Sequence, residues 1–160
     1  MLIRPAEERD DAAIWRVMEP VIRAGETYML PREMTAVEAI AYWRAPSHSV
    51  FVADVAGEVL GTYYLRANQQ GGGGHVANCG YMTAEAASGR GVARAMCAHS
   101  LYQAKAQGYQ AIQFNCVIAT NERAVRLWQS FGFAIVGTSP EAFLHPRLGF
   151  VDALVMHKKL

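Results

Sequence analysis

The stretch Ala87-Ser88-Gly89-Arg90-Gly91-Val92-Ala93-Arg94 joins a predicted strand to a predicted helix. The strand is expected over residues 76–83, and an alanine-rich helix is expected over residues 91–107. The two glycines allow a ligand to approach the main chain closely. The N–H groups in the first turn of a helix have no partner inside the helix and attract negative charge. The stretch therefore predicts a phosphate-binding turn, although Arg94 stands where the dinucleotide pattern G-x-G-x-x-G has its last glycine.

The composition is that of one compact globular domain. The chain has 160 residues, of which 52% are hydrophobic and 18% charged. A formal net charge of +1, with no long basic run, argues against nucleic acid or an anionic membrane as a partner. Neither a membrane-spanning apolar run nor a signal peptide is predicted. Three cysteines without a C-x-x-C pair favour neither disulfides nor a structural metal, which points to the cytoplasm.

The rest of the pattern predicts strands and helices in a mixed order. A helix between the fourth and fifth strands makes that pair parallel, whereas the hairpin signal at residues 56–58 makes its strands antiparallel. Pro20 is expected to kink or break the first helix, and residues 138–148 are expected to form a connecting loop. The chain is thus predicted to be a single α/β domain over residues 1–160, with a mixed, mostly antiparallel sheet of seven strands and four flanking helices. The strands are expected near residues 2–4, 49–55, 59–65, 76–83, 111–118, 133–136 and 149–157, and the helices near 10–25, 35–44, 91–107 and 120–132.

Two motifs resemble the GCN5-related N-acetyltransferase (GNAT) family. The family's signature Gln/Arg-x-x-Gly-x-Gly/Ala corresponds here to Ser88-Gly89-Arg90-Gly91-Val92-Ala93, so that Ser88 replaces the usual Gln or Arg. The later pattern Asn-x-x-Ala-x-x-x-Tyr-x-x-x-Gly-Phe corresponds to residues 121–133, with Trp128 in place of the Tyr. The motifs occur in the family's order, and the order of elements agrees over essentially the whole chain.

The resemblance implies an acetyl-CoA-dependent acyltransferase that needs no metal. In this family the fourth and fifth strands splay apart, the pantetheine arm pairs with the exposed edge of the fourth strand, and the pyrophosphate rests on the glycine turn. Asn121 would contact the arm from the opposite side. The residues implied in acetyl-CoA binding are Tyr81, Met82, Thr83, Ser88, Gly89, Arg90, Gly91, Val92, Ala93, Arg94, Asn121, Ala124 and Trp128.

Trp128 leaves the proton donor unassigned. Many family members have a tyrosine at this position, which protonates the departing thiolate. An indole N–H donates a hydrogen bond but is not an acid at neutral pH. Trp128 is therefore interpreted as a core and CoA-packing residue, and either another group or solvent delivers the proton.

A narrower resemblance concerns the acceptor amine. Residues 26–28, Asn78, residues 114–115 and residues 145–152 are similar to the branch that contains the L-azetidine-2-carboxylate acetyltransferases, with the phosphinothricin acetyltransferases nearby. This implies a small amino acid or an analogue as the acceptor. Asn78 and Asn115 would be the catalytic residues, and Thr27 and Tyr28 would line the pocket. The alternative for each asparagine is a structural amide that bonds the neighbouring strand.

Several alternatives stay open at this level. His75 and His145 are predicted in loops, where either can be a general base or an ordinary surface histidine. The acceptor can also be a peptide or ribosomal-protein N-terminus, although the absence of an acidic run favours a small molecule. A CoA-binding sensor without turnover is the other reading, supported by Ser88 and Trp128. Homodimers are common in the family, so a homodimer is also open.

Overall fold

The computed structural model describes residues 1–160, and its elements follow the predicted order. The seven strands are β1 (Leu2–Pro5), β2 (Ser49–Val55), β3 (Glu58–Ala67), β4 (Val76–Thr83), β5 (Ala111–Ile118), β6 (Ala134–His145) and β7 (Gly149–Lys159). The four helices are α1 (Asp11–Ala24), α2 (Ala36–Trp43), α3 (Val92–Ala106) and α4 (Glu122–Ser130). None of these helices combines the length and the apolar character needed to cross a bilayer.

The strands form one mixed sheet in the order β1-β2-β3-β4-β5-β7-β6. Only β4 and β5 are parallel, as the crossover through α3 predicts. Their pairing is limited to Val76 with Ala111 and Ala77 with Ile112, and beyond these pairs the strands diverge. The seven-stranded sheet and its splayed fourth and fifth strands are therefore confirmed.

Each face of the sheet carries its own buried cluster, because successive side chains of a strand point to opposite faces. On β3, Tyr64 faces α1 and α2, whereas Tyr63 and Leu65 face α3. The α1–α2 side buries Ile14, Val17, Met18, Ile22, Ala39, Trp43, Val52, Tyr64 and Met82. The α3–α4 side includes Phe51, Met96, Ile112, Phe114, Trp128 and Phe133.

Helix α1 continues through Pro20, so the expected break is wrong. Proline inside a helix costs about 3 kcal/mol, because it removes one hydrogen bond and crowds the preceding turn. Burial of an aliphatic side chain contributes about 1.5–3 kcal/mol, and α1 buries Ile14, Val17, Met18 and Ile22. Pro20 itself is exposed, so water can bond the carbonyl group that it leaves free. Tertiary packing therefore outweighs the local preference.

The predicted loop at residues 138–148 is also wrong, because β6 extends to His145. This strand lies at the edge of the sheet, where Pro140 loses no ladder hydrogen bond. The pairing with β7 shifts between Ser139 and Phe143, and Glu141 adopts a φ of 51°. The Glu141 N–H donates to Asp152 Oδ1 over 2.9 Å, which satisfies the irregular main chain. A bulge at an edge strand thus accommodates residues that resemble a loop in the sequence.

A buried ion pair anchors the start of α1 to the sheet. The Arg4 guanidinium donates to both oxygens of Asp10, over 2.7 and 2.9 Å, and the Glu7 N–H donates to Asp10 Oδ2 over 2.8 Å. These contacts, led by that of Arg4, lower the pKa of the buried Asp10 from about 3.8 to about 2. The pair holds the start of α1 against β1.

We expect Asp10→Asn to lower the free energy of unfolding by about 2 kcal/mol at pH 7, the equivalent of the pKa shift. A lowered pKa in the folded state stabilises the protein above the unfolded pKa, and this stabilisation is lost as the pH falls through the folded pKa. The difference should therefore shrink to about half at pH 3. Urea denaturation of wild type and variant at pH 7 and at pH 3 measures this difference in the free energy of unfolding. Glu58→Gln, at an exposed carboxylate without an ion pair, is the control, and a pH-independent difference for Asp10→Asn would contradict the assignment.

Candidate active site

A cleft of about 930 Å³ opens where β4 and β5 diverge. Strands β4 and β5 supply its floor, and its walls come from the start of α3, from α4 and from residues 27–30 after α1. Its size lies within the range of small-molecule sites. Of the residues implied in acetyl-CoA binding, all but the exposed Arg90 line this cleft, as do Asn78, Asn115, Thr27 and Tyr28.

The glycine turn forms one end of the cleft. Gly89 and Gly91 adopt φ values of +73° and +74°, which favour glycine, and Gly91 is the residue before the first turn of α3. A Cβ added at either position would meet no atom within 4 Å apart from the adjacent residues of the chain, so the turn faces open space. The Ala95 N–H is the first to bond within the helix, to the Gly91 carbonyl group. The N–H groups of residues 92–94 therefore remain available to an anion.

Arginine side chains add positive charge to this end. Arg123 donates to Ser88 Oγ over 3.2 Å, and Arg94 lies over the Phe131 ring, 5.2 Å from its centroid. Arg126 also lines the cleft. The helical pattern of α4 indicates an outward face for Arg123 and Arg126, and sequence reasoning missed them. Only the packing of α4 beside the start of α3 shows that this outward face borders the cleft.

The edge of β4 that faces the gap carries main-chain groups without a β5 partner. Because bonding direction alternates along an antiparallel strand, Cys79, Tyr81 and Thr83 direct their N–H and C=O groups into the gap. The Tyr28 hydroxyl accepts from the Tyr81 N–H and donates to the Tyr81 C=O, each over 2.7 Å. Tyr28 thus occupies main-chain groups that the family resemblance assigns to pantetheine.

The aromatic side chains beside this edge stay neutral. Loss of solvent contact raises the pKa of Tyr28 and of Tyr81 well above the usual range, and the Tyr81 hydroxyl is bonded to Ser100 Oγ at 2.6 Å. Burial also raises the pKa of the Cys79 thiol to about 12. These groups therefore pack and donate hydrogen bonds at neutral pH, and none of them is an anionic nucleophile.

Helix α4 closes the cleft opposite β4. The Asn121 side-chain oxygen accepts from the Ala124 N–H over 3.4 Å and so caps the helix. Trp128 is buried, with ring centroids 4.9 Å from Tyr81 and 5.1 Å from Phe114. Its indole ring nevertheless lines the cleft. The placement agrees with the interpretation of Trp128 as a core and cleft-packing residue.

Carboxamide side chains gather at the other end of the cleft. Asn78 Nδ2 donates to the Gln113 C=O over 2.9 Å and bridges β4 and β5 just where they part. Asn115 Nδ2 donates to Asn68 Oδ1 over 2.7 Å, and Gln113 Nε2 donates to Asn115 Oδ1 over 3.1 Å. The structure brings Asn78 and Asn115 together and also gives each the hydrogen bond of a structural amide. Asn68, which follows β3, was missed, because nothing in its local sequence places it beside β5.

A β-bulge aims Asn115 into the cleft. The register of β5 with β7 shifts between Phe114 and Val117, so that Asn115 and Cys116 lie opposite a single residue. Phe114 and Val117 both remain buried in the core on either side of the irregularity. The bulge therefore changes the direction of the side chains between two anchored positions, a common feature of functional sites.

The walls at this end are aromatic. Tyr64 lies across from Gly80, where an added Cβ would come within 2.6 Å of the tyrosine ring. His48 stacks on Tyr64 with ring centroids 4.3 Å apart, and Tyr42 contacts the same ring edge-on at 6.4 Å. Packed aromatic rings therefore support the wall at this end of the cleft.

The two histidines proposed as bases lie outside the cleft. His145 is the last residue of β6 and is buried, contrary to its predicted place in a loop. Its Nδ1 accepts from the N–H groups of Arg147 and Leu148, over 3.2 and 3.3 Å, and so stabilises the β6–β7 turn. His75 is exposed before β4. No group of three His, Cys, Asp or Glu side chains is arranged to hold a metal ion.

The profile of the acetyltransferase (GNAT) family matches residues 15–133. The chain is 28% identical to the N-acetyltransferase aca1 of Schizosaccharomyces pombe over 151 residues, which covers 84% of this chain and 72% of that one. A solved GCN5-related N-acetyltransferase from Kribbella flavida is 44% identical, with a TM-score of 0.94, and the match covers 99% of this chain and 97% of that one.

The fold is shared with more distant enzymes. A phosphinothricin acetyltransferase from Sinorhizobium meliloti, solved in complex with acetyl-CoA, is 17% identical with a TM-score of 0.86 over 99% of this chain and 88% of that one. The match of the family profile covers most of the chain, and it includes both the glycine turn and α4. The chain therefore belongs to the acetyltransferase (GNAT) family, and it is an acetyl-CoA-dependent N-acetyltransferase.

Proposed function

We propose that the enzyme acetylates the amine of a small amino acid or amino-acid analogue. The observation that carries the proposal is the placement of Asn78 and Asn115 together at the aromatic end of the cleft, which Tyr81 also lines. A carboxamide is uncharged and has both hydrogen-bond donors and an acceptor, so it can orient an amine without placing a charge beside it. The fold shared with a phosphinothricin acetyltransferase is consistent with such an acceptor.

Two parts of the cleft suit two parts of acetyl-CoA, the pyrophosphate and the pantetheine arm. The pyrophosphate would accept from the N–H groups between Gly89 and Arg94, with Arg123 alongside. The pantetheine arm would lie along the free edge of β4 from Tyr81 to Thr83, as an added strand, with Asn121 and α4 on its other side. This arrangement would place the thioester near Tyr81, between the phosphate turn and the two asparagines.

Tyr28 would then exchange partners when acetyl-CoA binds. Its hydroxyl bonds both the N–H and the C=O of Tyr81, which keeps these shielded groups satisfied. An arm that pairs with Tyr81 must displace the hydroxyl, and the Tyr81 N–H is then able to donate to the thioester carbonyl oxygen. The displaced Tyr28 ring would remain beside the acceptor, in keeping with its predicted place in the pocket.

The chemistry needs positioning more than acid–base groups. The uncharged amine forms a bond to the acetyl carbonyl carbon, the carbon–sulfur bond breaks, and the amine proton passes to water. Asn78 Oδ1 would accept from the amine, Asn115 would hold the acceptor in place, and the Tyr81 N–H would stabilise charge on the carbonyl oxygen. Trp128 would donate a hydrogen bond to the departing thiolate while keeping its own proton, and water would protonate the sulfur.

We expect Gly91→Leu to raise the Kd for acetyl-CoA by at least about 100-fold, because the side chain would fill the open space where the phosphate would lie. The domain should still fold, since strain at this positive φ costs only about 1–2 kcal/mol. Calorimetry would measure the affinity, and circular dichroism the fold. Gly149→Leu is a matched control, because Gly149 has the same φ of +74° and equally open surroundings but lies outside the cleft. Tight binding by Gly91→Leu would refute the phosphate assignment.

We expect wild-type enzyme to release CoA thiol from acetyl-CoA with azetidine-2-carboxylate, proline analogues, phosphinothricin or methionine derivatives. Asn115→Ala should lower kcat for the best of these by about 10–100-fold and change acetyl-CoA affinity less than threefold, because the carboxamide would act on the acceptor. Gln129→Ala removes an exposed carboxamide outside the cleft and is the control. Release with polyamines or an N-terminal peptide alone would reject the proposed acceptor class, and an unchanged rate in Asn115→Ala would leave Asn115 a structural residue.

We expect Tyr28→Phe to bind acetyl-CoA up to about tenfold more tightly, because the arm no longer has to displace a hydroxyl group. The free variant should be less stable by about 1–2 kcal/mol, since two hydrogen bonds to Tyr81 are lost. Calorimetry and denaturation of the free protein measure these opposite effects. Weaker binding of acetyl-CoA would show that Tyr28 and the pantetheine arm do not compete for Tyr81.

A further inference from the structure

Arg66 lies beside the carboxamides at the acceptor end of the cleft. It is the cross-strand partner of Asn78 in the pairing of β3 with β4, so the two side chains leave the same face of the sheet. Such partners have Cβ atoms about 4.5–5.5 Å apart. Tyr64, two residues earlier on β3, occupies the same face across from Gly80. Arg66 also lines the cleft.

The Arg66 guanidinium has no partner within the protein. Arg4, Arg44 and Arg147 each pair with a carboxylate, whereas Arg66 takes part in none of the ion pairs of the chain. Its Nε is buried and makes no hydrogen bond. Buried donors are almost always bonded, and a partly desolvated cation without a counter-ion is rarer still. The unsatisfied group therefore indicates a ligand that supplies the acceptor atoms.

Arg66 is the only charged side chain at this end of the cleft. The other lining arginines, Arg94, Arg123 and Arg126, belong to the end formed by α3 and α4. The single lining carboxylate, Glu85, lies in the turn that leads to the glycines. Burial, and to a smaller degree the charge of Arg66, lower the pKa of the nearby His48, so that this histidine is neutral at pH 7. A cationic acceptor would therefore meet repulsion here, and an anionic group would meet attraction.

We infer that Arg66 binds the carboxylate of the acceptor, and that the enzyme consequently selects amino acids over amines without a carboxylate. The inference rests on the proposed function and adds its determinant of specificity. A guanidinium presents parallel N–H donors that match the two oxygens of a carboxylate. In an α-amino acid one carbon separates the carboxylate from the amine, so that a carboxylate on Arg66 directs the amine to the neighbouring Asn78 and the Tyr81 main chain.

The test compares acids with their carboxamides in wild type and in Arg66→Gln. Proline with prolinamide, and methionine with methioninamide, are pairs that differ in the carboxylate alone. We expect the kcat/KM ratio of acid to amide to fall by about 100-fold in Arg66→Gln, mainly through a higher KM for the acid. The Kd for acetyl-CoA should change less than threefold. Because each ratio is compared with that of wild type, the different basicity of the two amines cancels.

Control variants separate the inference from the proposed function. Arg16→Gln removes an exposed charge on α1 and should leave the ratio unchanged. Arg66→Met keeps the apolar stem, so that it tests the same loss of charge if Arg66→Gln does not fold. The role of Arg66 is overturned if both members of each pair are acetylated and a folded Arg66→Gln or Arg66→Met variant keeps the wild-type ratio of kcat/KM for acid to amide. That result leaves the proposed acceptor class standing. Absence of turnover for every amino acid and amide rejects the proposed function itself.

Discussion

The structure depends on the separation of two parallel strands after only two residue pairs. Because β4 and β5 part beyond Ala77 and Ile112, the sheet contains a row of main-chain donors and acceptors that no strand satisfies. In a protein interior such groups are costly, so they require a ligand or a substitute. At Tyr81 the substitute is the Tyr28 hydroxyl, which bonds both main-chain groups of that residue. The gap thus stays open while the groups of Tyr81 are satisfied.

The elements around the gap divide it into two chemically different ends. At one end the N–H groups at the start of α3, which have no partner within the helix, and the arginines of α3 and α4 make the cleft positive, as a phosphate site would require. At the other end Arg66 is the single charged residue that lines the cleft, together with neutral carboxamides and tyrosine rings. Burial keeps Tyr28, Tyr81 and Cys79 uncharged, so that they add no negative charge to either end of the cleft. Under the proposed function, this asymmetry would orient acetyl-CoA along the cleft.

Much of the fold was predictable because its determinants are local. The glycine turn, the start of α3 near Gly91 and the Asn121 cap of α4 each depend on residues within one turn of the chain. The two wrong predictions, a break at Pro20 and a loop at residues 138–148, concern features that depend on tertiary contacts instead. Pro20 is tolerated because the apolar face of α1 packs on the sheet, and Pro140 is tolerated because β6 lies at an edge. Neither packing nor edge position can be recognised from the local pattern.

The sequence by itself determined the order of the elements, the parallel crossover at α3 and the glycine turn, since periodicity and glycine conformation act over short distances. It also determined the identity of the carboxamides at Asn78 and Asn115. Only the tertiary structure decided that Tyr28 reaches Tyr81, that Arg123 borders the turn, and that Arg66 stands unpaired across from Asn78. These contacts join residues from separate elements, and the register of β3 with β4 and the packing of α4 set the distances between them.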